Sequence, residues 1–593
     1  GAPFDKKLIT HTYEGIDLHP VYTKRDWSAE GDPSGFAGFD PFTRGRNAIG
    51  GNTCGWDIRQ EHAHADPKET NRTVLTDLER GCTAVHLRFD AASRSGFDPD
   101  TATDALIGRD GIMVYQLADL EAALAGVHLN MCGLGIEAGA AFKPAAAMTA
   151  ALWDKMGVSE RMARGSFNAD PLSVLARDGQ LPYSIDSGLK QLAELAAWTA
   201  ERYPGVTAVR VGSAPYHHAG ATAVQDLAIS MSTGVAYLRA MTDAGMAVED
   251  AVETMLFNYA VGTNFFLAAS KLRAARKLWA RIIEACGVMS ESRGMKMHVK
   301  TSKRVMTQRD PWVNMLRNTA CCFAGAVAGA DVITTYPFDA AVGLPDDFSR
   351  RIARNTQIIL MEESHLNAVI DPAGGCWFIE SLTDELAEKA WAMFQEIEGK
   401  GGIVEALTSG WIGEQIDSAF APRLKNIARR RDAVTGVSEF PNVSEKPVQR
   451  REPNCDLLRA TAKAAVSDAS VDDASMDGLV EAFKNGAMIG RAAKAVWGDA
   501  EPTASPVLSP NPYAKPFEEL RDAADVVVEQ LGNRPKVFLA NMGPVAHHTL
   551  RATYAKNFFE AGGFEVVSNK GFDSADAAAK AFTESGANIA VIC

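Results

Sequence analysis

The chain has 593 residues, of which 46% are hydrophobic and 23% charged, with a formal net charge of −14. That length accommodates roughly two to four domains and a large core, and the acidic balance argues against a general nucleic-acid binder, which needs a basic surface. No apolar run approaches the roughly 20 residues of a membrane helix, and the nine scattered cysteines form no CxxC pair; reduced thiols in a cytoplasmic protein are expected.

Residues 1–79 read as an extended N-terminal arm, rich in Gly, Pro and aromatics in VYTKRDW and GFAGFDPFTRG, that wraps the barrel or a partner. From 80 to 430 short β-type runs alternate with long helical ones. The strand candidates are TAVHLRFD, GVHLNMCG, TAVRVGS, MKMHVKTS, ADVITTYP and NAVIDP. The helices include SGLKQLAELAAWTAERY and FNYAVGTNFFLAASKLRAARKLWARIIEACG. Such βα alternation predicts a parallel sheet, and its length suits an eight-stranded (β/α) barrel. Residues 431–533 read as a helical and irregular linker, with RREPNCDLL, the helix MDGLVEAFKNG and the proline-spaced EPTASPVLSPNPYAKP. From 534 to 593 the runs KVFLAN, FEVVSN and IAVIC alternate with helices, as in half of a doubly wound, flavodoxin-like domain. The sequence reaches residue 593 on the third strand, so that domain is expected to be partial.

The strands alternate in an unusual way. Val85, Leu87 and Phe89 are interleaved with His86, Arg88 and Asp90. His128 and Asn130 alternate with Val127, Leu129 and Met131; Arg210 sits between Val209 and Val211; Lys296, His298 and Lys300 alternate with Met295, Met297 and Val299. An antiparallel sheet with one wet face would also give this pattern. Because helices separate the strands, the barrel is the preferred reading, with the apolar set facing the helices and the polar set pointing into the lumen, where most barrels carry Val, Ile and Leu. Buried cations need acidic partners or an anionic ligand.

The runs NYAVGTNFFLAASKLRAARKLW, LPDDFSRRIARNTQ, VIDPAGGCWFIESLTDELAEKAW, DPFTRGRNAIGGNTCGWDIRQ and AGATAVQDLA resemble the adenosylcobalamin-dependent acyl-CoA mutases, methylmalonyl-CoA mutase above all, and the likeness extends to residue 593. It implies a barrel that binds acyl-CoA through its centre and a C-terminal domain of the cobalamin-binding type. It also implies radical chemistry, in which the protein holds cobalt, excludes water and polarises a substrate carbonyl.

Against that pattern this sequence departs at the chemistry. Catalytic relatives carry a Tyr-His pair where this chain has Ala214 and Pro215, and a tyrosine where it has Glu61. They carry small residues where His86, Arg88, His128, Asn130 and Arg210 would fill the channel. Of the family's Asp-x-His-x-x-Gly cobalamin loop only His547 remains; Val545 and Leu550 occupy the Asp and Gly positions. The resemblance is therefore closest to the small, non-catalytic subunit of heterodimeric mutases. It implies a large catalytic subunit as partner, adenosylcobalamin on that partner, and a GTPase cobalamin-loading chaperone. Two other readings stand beside it: an active acyl-CoA mutase of altered specificity using Tyr216, His217 and His547, and a regulatory module binding CoA or phosphate through Arg88, Arg210, Lys296, His298 and Lys300.

Three further signals are weaker. GLGIEAG reads as a tight strand-to-helix turn rather than a phosphate loop. His62 and His64 in EHAH lack further metal ligands at convincing spacing, and no metal is expected. Lys271, Arg273, Arg276 and Lys277 read as a solvated or partner-facing basic run.

Overall fold

The structure, a computed structural model, describes residues 3–26, 31–32, 34–51, 54–289, 291–448 and 453–593. Parts of VYTKRDW, of the arm's GGNTCG run and of RREPN lie outside these residues. Eight parallel strands close a barrel in chain order: β1 Asp57–His62, β2 Ala84–Arg88, β3 Gly133–Glu137, β4 Gly165–Ala169, β5 Val206–Gly212, β6 Met255–Val261, β7 Met297–Thr301 and β8 Val332–Thr334. β8 returns to β1 through the pairs Val332 with Asp57 and Thr334 with Arg59. Helices pack outside the strands, among them α1 Pro67–Glu79, α2 Phe142–Lys155, α3 Ala214–Ala219, α4 Ala223–Asp243, α5 Phe265–Ala285, α6 Asp347–Ile358 and α7 Trp377–Gly399. The outward strand residues, such as Val85, Leu87, Ile136, Val209, Phe257 and Val299, are buried in one hydrophobic core with those helices. The expected (β/α) barrel is therefore present.

Several predicted elements are corrected. β1 lies inside the span assigned to the arm, so the barrel starts before residue 80. GVHLNMCG is a turn: Gly126 takes a left-handed φ of 75°, Val127 and Leu129 tuck into the core, and the strand begins at Gly133. The glycines of GLGIE obscure its strand, and the packing requires the second of them, Gly135. A β-carbon on Gly135 would stand 2.8 Å from His86 Nδ1 and 3.3 Å from Arg59 Nη1. MLFNYAV is strand β6, buried on both faces; a continuous apolar run resembles a helix segment, and its last residues were merged into the helix that follows. NAVIDP forms turns and no strand.

The basic run on α5 is corrected too. Lys271, Arg273 and Arg276 are buried, because α5 lies between the barrel, α7 and the arm. Lys271 Nζ donates to Asp226 at 3.0 Å and to the Ala260 carbonyl at 2.8 Å. Arg273 pairs with Asp371, with Glu380 at 2.6 Å and with the arm's Ser34 at 2.9 Å. Arg276 donates to the Gly329 carbonyl at 2.6 Å and reaches the arm at the Thr43 carbonyl. Lys277 alone is partly solvated, 2.6 Å from Asp384.

The span 431–533 carries helices that pack on the barrel. α8 Met476–Lys484 and α9 Ile489–Trp497 lie against α2, and Asp98 caps the start of α9 through the Gly490 and Arg491 amides at 2.6 and 3.0 Å. α10 Lys515–Leu531 meets the barrel where Glu518 accepts the Gln308 amide and Arg309 pairs with Asp525 at 2.7 Å. The C-terminal residues form a parallel sheet with β9 Lys536–Ala540 between β10 Glu565–Val567 and β11 Ile589–Ile592. The helix α11 Val545–Ala561 follows β9. This is the expected doubly wound arrangement.

Replacing Arg273 with leucine leaves the Asp371 and Glu380 carboxylates buried beside the arm without their main cation. The expected cost is about 3–5 kcal/mol in urea unfolding, with faster proteolytic cleavage within the first 50 or so residues. Unchanged stability and cleavage would show that α5 does not anchor the arm.

Candidate functional site

The lumen is polar, as the alternation predicted, and its centre is a residue the sequence reading missed. Glu137 ends β3, and the alternation Gly133, Gly135, Glu137 points it inward. Its carboxylate receives Arg88 from β2, His86 Nε2 at 3.4 Å and Arg210 from β5 at 3.4 Å. Arg177 stands at 3.5 Å and the Lys300 ammonium at 3.8 Å. Arg210 also donates to Asp170 at 3.0 Å, and Lys300 pairs with Glu61 at 2.8 Å. Arg88 reaches the Asp110 carboxylate above. Deeper in the lumen, His298 Nε2 and Thr334 Oγ1 are 2.9 Å apart, and Arg59 approaches Ser166. The chain's own acids thus pair with the lumen cations Arg88, Arg210 and Lys300.

The electrostatics follow from this geometry. Burial alone would raise the Glu137 carboxyl, but Arg88, the His86 hydrogen bond, Arg210 and Lys300 hold it well below the usual carboxylate range. Burial likewise opposes the Glu61 charge, and Lys300, Lys303 and His86 outweigh it. Burial and Lys300 push His86 down to about 4. Burial, Arg59 and Lys300 push His298 far below its ordinary value, so both imidazoles are neutral near pH 7.

Glu61, His86 and Glu137 bring ligand atoms within 4.8 Å of one another, close enough for a metal. The Lys300 ammonium stands beside both carboxylates, so the group already holds its cation. His62 and His64 do not form a second centre. His62 Nδ1 is 3.0 Å from Thr73 Oγ1 and accepts from Arg350, while His64 Nδ1 accepts the Asp66 amide.

Three predicted lumen residues are elsewhere. His128 and Asn130 are exposed on the turn before β3, because the strand is the next segment along. Lys296 has inward parity but precedes β7 and sits at the N-terminal mouth, 2.8 Å from Glu253. Ala214 and Pro215 open α3. Their neighbours are not free to substitute for them. Tyr216 is buried, and His217 is held between Asp226 and Ser302 at 2.9 Å each. Burial and the cations Arg304 and Lys271 keep His217 neutral.

Above the lumen, at the C-terminal ends of β1 and β8, lies a cavity of about 650 Å³ whose lining includes Glu61, His64, Arg72, Lys303 and Tyr336. This is the face on which (β/α) barrels carry their active sites. Glu61 forms part of both the cavity wall and the lumen network, so the network closes the cavity from below.

In the first turn of α11, after the loop that follows β9, His547 is exposed, and its ring has no side-chain partner among the described residues. Val545 is 57% and Leu550 86% exposed. The buried histidine of the pair is His548, with Nε2 3.4 Å from the Lys570 carbonyl oxygen.

The lumen histidine gives the barrel a pH signature. His86 titrates near 4 in the folded state, against about 6.5 unfolded. The native state therefore binds fewer protons across that window. Its contribution is complete above about pH 6.5 and is lost as the pH falls toward 4, with about 3 kcal/mol at stake. Urea midpoints measured from pH 7 to 4 should fall steadily, and H86Q should flatten the slope. Stability that is level or rising on acidification would contradict the network.

The profile of the family described as methylmalonyl-CoA mutase matches residues 11–497. The methylmalonyl-CoA mutase small subunit of Streptomyces virginiae is 42% identical over 593 residues, covering all of this chain and 84% of that protein. A probable methylmalonyl-CoA mutase small subunit of Mycobacterium tuberculosis (strain ATCC 25618 / H37Rv) is 34% identical over 99% of this chain and 83% of its own length. The small subunit of Propionibacterium freudenreichii subsp. shermanii is 32% identical over 99% and 80%. With a closed polar barrel, a doubly wound C-terminal unit and these relatives, the chain belongs to the methylmalonyl-CoA mutase family.

Proposed function

We propose that this chain is the small, non-catalytic subunit of a heterodimeric adenosylcobalamin-dependent methylmalonyl-CoA mutase. In this reading it is the structural partner of a large catalytic subunit, in a complex that interconverts (R)-methylmalonyl-CoA and succinyl-CoA. The observation that carries the reading is the filled lumen. Glu137, Arg88, Arg210, Glu61 and Lys300 satisfy one another where an acyl-CoA chain would have to pass. Displacing them would break several buried ion pairs at once, each costing several kcal/mol.

The start of α11 does not fit a cobalt-ligating histidine. Such an imidazole needs its second nitrogen held by an acceptor, and Val545 offers none. Leu550 projects from the position where the family pattern has glycine. We therefore assign adenosylcobalamin, and the radical rearrangement, to the partner. The alternative of an active mutase loses its candidate donors, since Tyr216 and His217 are buried and His217 is engaged by Asp226 and Ser302. A CoA-binding lumen is disfavoured because Arg88, Arg210 and Lys300 already have carboxylates. Family analogy adds a GTPase chaperone that loads cobalamin as a further partner.

The test is turnover of methylmalonyl-CoA by the chain alone and after assembly with a large catalytic subunit. The chain alone should be inactive, and the assembled enzyme should keep its kcat within about twofold when this chain carries H547A. Turnover by the isolated chain, or a large loss of kcat in the H547A heterodimer, would overturn the assignment.

A further inference from the structure

A second concave site lies outside the barrel, between α1 and α6. The groove holds about 480 Å³ and is lined by Arg80, Arg350, Arg351 and Arg354, with Asp77 at its floor. Arg350 and Arg354 are buried, and both spend a guanidinium nitrogen on the same Asp77 carboxylate. Each retains a buried Nε–H with no partner. Arg80, at the end of α1, and Arg351, on the exposed side of α6, have no ion pair among the described residues. The acid at the rim, Asp347, is engaged by Arg72 at 2.8 Å. Four arginines therefore line the groove; Arg350 and Arg354 are out of water and share the Asp77 carboxylate, while Arg80 and Arg351 are exposed.

A cluster of arginine forks, two of them exposed and without an ion pair among the described residues, is the arrangement that recognises phosphate oxygens. We propose that this groove binds the phosphate group of a small phosphorylated compound. The volume admits a phosphate together with part of its carrier. The site also has a route to the lumen. Arg350 donates to the Glu61 carbonyl at 3.3 Å and to His62 from outside β1, while the Glu61 side chain holds Lys300 from inside. Occupancy of the groove therefore bears on the strand that carries one wall of the plug.

The test is calorimetric titration of the full chain, and of its heterodimer, with inorganic phosphate, pyrophosphate and CoA at fixed ionic strength. Saturable binding with a sub-millimolar Kd is expected for at least one of them. The double variant R80A/R351A, which changes only exposed side chains, should weaken it at least tenfold, and K303A at the barrel mouth should leave it unchanged. Tighter binding of CoA than of inorganic phosphate would identify a carrier-borne phosphate, and equal affinities a free one. The proposal is overturned by three results: no saturable binding of any of the three, binding that survives R80A/R351A, or a double variant that loses only its affinity for the partner subunit. The last would assign the arginines to carboxylates across an interface.

Discussion

Arg88, Arg177, Arg210, Lys300 and His86 all converge on one buried carboxylate, that of Glu137. Much of the barrel's sequence follows from that convergence. Gly135 precedes it on the same face because a β-carbon there would crowd the side chains of His86 and Arg59. Glu61 and Asp170 complete the neutralisation by holding the far sides of Lys300 and Arg210. Burying so many charges does not by itself stabilise a fold, since desolvation offsets much of the Coulomb attraction. What it provides is a lumen with one low-energy arrangement, from which no member can be removed cheaply.

A second buried network does for the exterior what Glu137 does for the lumen. Arg273 and Arg276 of α5 gather Asp371, Glu380, Ser34 and the Thr43 carbonyl, and so bind the arm to the barrel wall. The arm is thereby fixed from its root. For a protein whose proposed work is association, a preorganised arm lowers the ordering cost of meeting a partner. The lumen and the arm express one logic, in which charge that a catalytic barrel would reserve for its ligand is consumed internally.

Much of this was legible in the sequence, for definable reasons. Strands with strict alternation, VHLR, AVRV and MHVK, announced both themselves and their inward polar residues, although the same alternation in VHLNM belongs to the turn before β3. The strands that escaped had other patterns. GLGIE is small on its inner face because neighbouring side chains fill that space; GSFNA contains Gly165 at a φ of 142°; MLFNYAV is apolar on both faces. Glu137 was hidden with its strand, although a lumen rich in cations required an acid somewhere. The basic run on α5 misled because charge at helical spacing usually marks a wet face. Only the tertiary position of Asp226, Asp371 and Glu380 shows that these cations are buried.

The central claim is that this barrel contributes a closed lumen and no cofactor site to its complex. It is tested most directly by counting adenosylcobalamin bound to the purified, fully loaded heterodimer, from the corrin absorbance against protein concentration. The account predicts one cobalamin per pair of chains, with none retained by this chain when the pair is separated. Two per pair, with one remaining on this chain, would contradict it.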